Sequence, residues 1–150
     1  MIEKLATTVG CSAEELTLTR NTTESLDIVI TGKHWQAGDE TIMAEQDYGS
    51  IIEALKHVSN RYGVVNKMIS VPNHPSSDEE IVNLYANAIT PKTKAIFIAH
   101  TLGNPFNLEE VMDVVYRNDL WLIEVQRYAI GRKGDLTSKV RESLVSIHRM

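Results

Sequence analysis

Residues able to do chemistry gather at four places along the 150-residue chain: Asn21–Glu24, Gln46–Ser50, His100–Asn107 and the segment after Val125. Asn21-Thr-Thr-Glu24 has the form of a capping box, in which the first side chain accepts from a first-turn amide and the last reaches back. A helix starting there points free N–H groups and the positive end of its dipole outward, which attracts an anion. The same residues also serve simply as a helix cap, with Asn21 accepting from the Glu24 amide. His100, Asn104 and Asn107 surround a strand end. Asn107 is more simply the cap of the next helix, and His100 a histidine satisfied by its neighbours. No His, Cys or Asp spacing here suggests zinc. The chain has no Gly-x-Ser-x-Gly elbow, no Gly-x-x-x-x-Gly-Lys-Ser/Thr loop and no Gly-x-Gly-x-x-Gly turn. The acidic pairs Glu14-Glu15, Glu79-Glu80 and Glu109-Glu110 fall in helix first turns and complement the helix dipole. Cys11 has no activating neighbour and reads as an inert thiol.

The elements that must hold these residues alternate in type. Ser12-Ala-Glu-Glu15 is a capping box for a short first helix, and Leu16–Arg20 alternates like a short strand. The helix opened by Asn21 carries Leu26, Val29 and Ile30 and closes at Gly32, and Gly38-Asp39 is a turn. Glu40–Glu45 reads as a strand and Ser50–Tyr62 as a helix, with Gly63 just past its end. Val64–Val71 is a strand ended by Pro72 and Pro75. Ser77 starts a helix with Ile81, Leu84, Tyr85 and Ala88 on one face. Lys94–Ala99 and Leu120–Val125 are apolar runs, as expected of strands buried on both faces, with a helix from Asn107 between them. A last helix is predicted over Leu136–Ile147. This alternation predicts an α/β fold, a single domain over 1–150, with a mostly parallel sheet between helical layers. In such sheets ligands sit beyond the C-terminal strand ends, where the four places fall.

Composition narrows the partners. Apolar residues make up 43% and charged residues 23%, ordinary globular values, and the net charge is −5. That balance disfavours nucleic acid, because Arg127, Arg132, Lys133, Lys139 and Arg141 are interleaved with Asp135 and Glu142. One cysteine excludes an internal disulfide and fits a reducing compartment. The N-terminus lacks the apolar core of a signal peptide, and no apolar run approaches a membrane span. A cytoplasmic protein without membrane or metal partners is the expectation.

The stretches LTRNTTESLDIVI ending at Ile30, GDETIMAEQDYGS (38–50) and ITPKTKAIFIAH (89–100) resemble class V aminotransferases, particularly the isopenicillin-N-epimerase-like branch. From about Lys94, AIFIAHTLGNPFNLEEVMD followed by NDLWLIE is similar to DegT-type sugar aminotransferases, most of all the CDP-4-keto-6-deoxyglucose 3-dehydrase branch. Both belong to fold-type-I pyridoxal-phosphate (PLP) enzymes. The resemblance therefore implies their large domain, a three-layer αβα sandwich, and its switch between branches points to a recombined or designed sequence. It also implies that Asn21, Thr22 and Thr23 receive a PLP phosphate, that Tyr48 lies against the cofactor ring, and that Asn104 reaches the ring hydroxyl. For Tyr48 the plainer role is a helix-start tyrosine with its hydroxyl in water.

The resemblance also exposes what is missing. The acid that holds the pyridine-nitrogen proton in DegT-type relatives corresponds to Val125, and the adjacent Glu124 would face the other side of a strand. The Schiff-base lysine follows a Ser-x-His step in class V relatives. If Ser146-Ile-His148 is that step, Arg149 stands in its place, and Arg stays protonated. The dehydrase branch uses His there, which makes His148 a candidate base. Lys133 and Lys139 fall in no motif and read as solvent-facing. Relatives also carry a small domain and dimerise, so faces they bury invite homodimerisation here. The expectation is a non-catalytic, stand-alone domain with no cofactor, or PLP if any. The alternatives are a PLP-dependent aminotransferase, epimerase or sugar dehydrase, whole or fragment, and a weak phosphate-ligand binding module.

Overall fold

The computed structural model describes residues 2–100, 107–127 and 143–148. Its helices are α1 (Ile2–Val9), α2 (Thr22–Gly32), α3 (Gly49–Tyr62), α4 (Asp78–Ala88) and α5 (Leu108–Arg117). Its strands are β1 (Glu40–Ala44), β2 (Val65–Ile69), β3 (Thr93–His100), β4 (Trp121–Arg127) and β5 (Ser143–His148). They form one sheet in the order β2-β1-β3-β4-β5. The first three pairings are parallel, and β5 runs antiparallel to β4. Parallel neighbours need crossovers, and α3, α4 and α5 supply them, which is why apolar runs alternate with amphipathic helices along the chain.

The sheet is covered on both faces, as the three-layer expectation requires. On one face Leu26 and Ile30 of α2 and Ile51, Leu55 and Val58 of α3 pack on Met43, Ala95, Phe97, Ile123 and Val125. On the other, Ile81, Val82 and Tyr85 of α4 and Val111 and Val115 of α5 pack on Ile42, Ile96, Ile98 and Leu122. Alternation along β3 and β4 assigns successive residues to opposite layers. Each fully buried aliphatic or aromatic side chain adds about 1.5–3 kcal/mol over leaving it exposed. At the N-terminal edge, Glu40 Oε2 accepts from Lys67 Nζ at 2.7 Å, tying β1 to β2.

Helix boundaries follow their local signals. Asn21 Oδ1 accepts from Glu24 N at 2.9 Å, and Ser77 Oγ from Glu80 N at 3.2 Å. Gly63 ends α3 in the left-handed region at φ 73°, with its N–H returned to Ser59 O.

Three expectations are corrected. Leu16–Arg20 forms no strand: it pairs with no strand of the sheet, and Leu18 is exposed. Alternation signals a strand only where another strand's backbone is in reach. The Ser12 box does bond Ser12 N to Glu15 Oε2 at 2.9 Å, but it starts only a 3-10 turn at Ala13–Glu15 behind the unanticipated α1. The helix expected over Leu136–Ile147 is overturned where it can be seen, because Ser143–His148 is β5. The bare edge of β4 offers that segment a full backbone ladder, and Val145 joins the α2-side core.

Candidate functional site

The α3 helix follows β1 after a four-residue turn, so its first turn lies at the C-terminal end of the parallel strands. Thr23 Oγ1 and Ser50 Oγ are 3.2 Å apart, which brings the start of α2 to the same end. Two helix N-termini thus converge there, each adding positive character. Within the α2 first turn, the Glu24 amide is taken by Asn21 Oδ1 and the Ser25 amide by Asn21 O. The Thr22 and Thr23 amides have no acceptor inside the helix, as helix geometry dictates. Glu24 is drawn back over Arg20, accepting from its backbone N at 2.6 Å and from its guanidinium at 3.0 Å. Those bonds to Arg20 hold the Glu24 carboxyl below its ordinary range. An open groove of about 520 Å³ runs along α2, lined by Arg20, Asn21, Thr23, Asp27, Ile28 and Thr31.

Tyr48 is the N-cap residue of α3 and 45% exposed. It stands at the C-terminal edge near Ser50, in the helix-start position of the plainer reading. Asn107 precedes α5, but its side-chain amide donates to Glu110 Oε1 at 2.6 Å instead of capping the helix. His100 ends β3, its backbone paired with Gln126. Asn104, Lys133, Lys139 and Arg149 lie outside the described residues. Among the described residues no three His, Cys, Asp or Glu side chains gather as a metal would need, and no helix is long and apolar enough to cross a membrane.

On β4 the faces separate as strand geometry requires. Val125, 4% exposed, belongs to the α2-side core, and Glu124, 1% exposed, faces the α4/α5 side between Leu122 and the end of the strand. Glu124 Oε2 lies 3.1 Å from His148 Nε2. The candidate base His148 is thereby held on the side of the sheet opposite to α2. Sequence patterns gave no signal for this pair, whose partners stand 24 residues apart.

Asp47 is a second residue that sequence reasoning missed. It sits in the β1–α3 turn, where its Oδ2 accepts from Ala44 N at 3.0 Å. Burial pushes its carboxyl from 3.8 up to about 6, and burial together with the Asp47 charge pushes the Tyr85 phenol up as well. A folded-state value above the unfolded one means the folded protein binds the extra proton, so stability falls as pH rises from 3.8 through about 6. The shift sets a ceiling near 3 kcal/mol, which the adjacent α3 N-terminus reduces by favouring the charge. Asp47→Asn keeps an acceptor for Ala44 N. We expect it to stabilise the protein by about 1–2 kcal/mol at neutral pH and to flatten that fall. Urea denaturation at a series of pH values measures both, and an unchanged pH profile would remove Asp47 from this role.

The geometry has close counterparts. The cystine C-S lyase C-DES, in a K223A form with glycine covalently linked to its PLP cofactor, superposes with a TM-score of 0.72 at 25% identity over 82% of this chain and 34% of that one. The Escherichia coli cysteine desulfurase CsdA shares the fold at a TM-score of 0.73 and 15% identity, over 99% of this chain and 42% of that one. The class is therefore that of the PLP-dependent transferase fold. Within it, the profile of the DegT/DnrJ/EryC1/StrS aminotransferase family matches residues 3–134, and the chain belongs to that family. Lipopolysaccharide biosynthesis protein RfbH of Salmonella typhimurium is 35% identical over 127 residues, 85% of this chain and 27% of that protein. Isopenicillin N epimerase of Amycolatopsis lactamdurans is 27% identical over 105 residues, 68% of this chain and 26% of that protein. The chain thus spans about a quarter of the length of these curated relatives.

Proposed function

We propose that this chain is a cofactor-facing core of the PLP-transferase fold that holds a phosphate group at the start of α2 and is not catalytic by itself. The observation that carries this reading is the facing of β4: an aliphatic side chain, Val125, occupies the α2 side, and the neighbouring carboxylate of Glu124 is turned to the opposite layer. PLP, when bound, supplies an electron sink that depends on a protonated pyridine nitrogen. The residues present fit one end of that group. The Thr22 and Thr23 amides and the Thr23 hydroxyl, beside Ser50, suit an anion. They do not fit the other end, because Val125 offers carbon where an anion must hold a proton. Asn21 orders the helix start, Tyr48 stands at the rim, and Asn104 would add a polar contact.

A second reading is favoured by the profile match across residues 3–134 and by the RfbH likeness. In it the chain is a segment of a working PLP-dependent enzyme acting on a sugar, as the name GDP-perosamine synthase suggests for that relative. One experiment separates the two. The protein is mixed with PLP, dialysed, reduced with borohydride and mapped by mass spectrometry, and its thermal stability is measured in inorganic phosphate. We expect no lysine modified in preference to others, and stabilisation by phosphate of about 1 kcal/mol at five times its Kd. A single lysine fixed to the cofactor would establish the second reading. An absent phosphate effect would remove the anion site.

A further inference from the structure

Ala95–Ala99 of β3 is apolar on both faces, so its patterning discriminates poorly between the two helical layers. The structure turns Ala95 and Phe97 to the α2 side and Ile96 and Ile98 to the α4 side. A polar cluster at the start of the strand is set by different contacts. Glu40 Oε2 accepts from Lys67 Nζ at 2.7 Å, from the Thr90 hydroxyl, and from Thr93 Oγ1 at 3.3 Å. Those donors, Lys67 first, hold the Glu40 carboxyl below its ordinary range. Lys67 Nζ also donates to Ala88 O at the end of α4, at 3.1 Å, which puts the cluster on the α4 side. Thr93 is fixed a second time. Its N–H donates to Thr90 O and its Oγ1 accepts from Thr90 N, both at 2.9 Å, across a turn with Pro91 at its first corner.

Residues two apart on an unbroken strand share a face, so Thr93 and Ala95 would lie on one side. They do not, because the pairing slips between them. Glu40 pairs with Thr93, and the next residue of β1, Thr41, pairs with Ala95. Lys94 is thus an extra residue on β3, a bulge at the N-terminal rim of the sheet. We propose that Lys94 is a spacer between two anchors that differ by one residue: the Glu40 cluster, which holds Thr93 to the α4 side, and the core, which draws Ala95 and Phe97 to the α2 side. This is a conformational device within the fold, independent of whether any cofactor binds.

Deletion tests it. Removing Lys94 makes Thr93 and Ala95 neighbours, so a regular ladder satisfies both anchors at once. We expect that protein to unfold cooperatively within about 5 °C of the parent's Tm. Removing Phe97 offers no such solution. It either brings Lys94 into the buried place of Ala95 or turns Ile98 and Ala99 over. That protein should lose about 15 °C or more, or its cooperative transition altogether. A double-mutant cycle of Glu40→Ala and Thr93→Val, followed by urea denaturation, checks the polar anchor. We expect a coupling of about threefold or more in the unfolding equilibrium constant, present in the parent and kept in the protein lacking Lys94. The proposal is overturned if removing Lys94 costs as much as removing Phe97, or if the coupling is absent from either protein.

Discussion

Val125→Asp is expected to destabilise the protein by about 3–5 kcal/mol in plain buffer, and PLP is expected to recover more of that loss than it adds to the parent. Val125 is 4% exposed and packed with Leu26, Ile30, Phe97 and Ile123, so an introduced carboxylate is surrounded by carbon. The loss is a large part of the 5–15 kcal/mol by which domains of this kind are stable. A pyridine nitrogen reaching β4 from the α2 end would give the new carboxylate a charged partner. A hydrogen bond to a charged group contributes about 1.5–3 kcal/mol, so the extra stabilisation by PLP should exceed about 1 kcal/mol. Thermal or urea unfolding of both proteins with and without PLP measures it. Equal stabilisation of the two would mean that the ring does not approach β4, and the cofactor reading would then reduce to an anion held at Thr22 and Thr23.

The second large effect is expected at the far side of the same strand. His148→Leu should cost about 1.5–3 kcal/mol, the range for losing a hydrogen bond to a charged group, because Glu124 is buried while His148 itself stays one-third exposed. The loss comes from Glu124, 1% exposed, which gives up its hydrogen bond to the imidazole. His148→Gln, which keeps a donor, should recover most of it, and Glu124→Gln should cost under about 1.5 kcal/mol because a neutral hydrogen bond remains. A double-mutant cycle supplies the control: the loss in the Glu124→Leu/His148→Leu protein should fall short of the sum of the two single losses. A His148→Leu protein as stable as the parent would show that the pair contributes nothing to holding β5.

Much of the architecture was legible because its signals act over a few residues. Asn21 and Ser77 open helices where a short polar side chain reaches the amide three residues on. Gly63 closes α3 because a left-handed residue is needed there. Ala95–Ala99, apolar throughout, forms the middle of the central strand β3 because both its faces meet helices. The errors share a different cause. Leu16–Arg20 and the Ser143–Ile147 part of the helix expected over Leu136–Ile147 depart from expectation because strand pairing is decided by a distant backbone: the first found none and the second found the edge of β4. Of the candidate site, Asn21–Thr23 could be read because a helix start is local. The contact of Thr23 with Ser50 and the burial of Asp47 could not, since the first needs α2 and α3 packed together and the second the β1–α3 turn seated beside Tyr85 of α4.

The order of residues alone determined where helices begin, that the sheet is mainly parallel, and that position 125 bears no acid. Period-two geometry also dictated that Glu124 and Val125 must part to opposite faces. Only tertiary structure decided which face each received, that two helix starts share one end of the sheet, and that Glu124 finds His148. These depend on contacts between segments far apart in the chain, and local conformational preference carries no information about a partner that folding has yet to bring near.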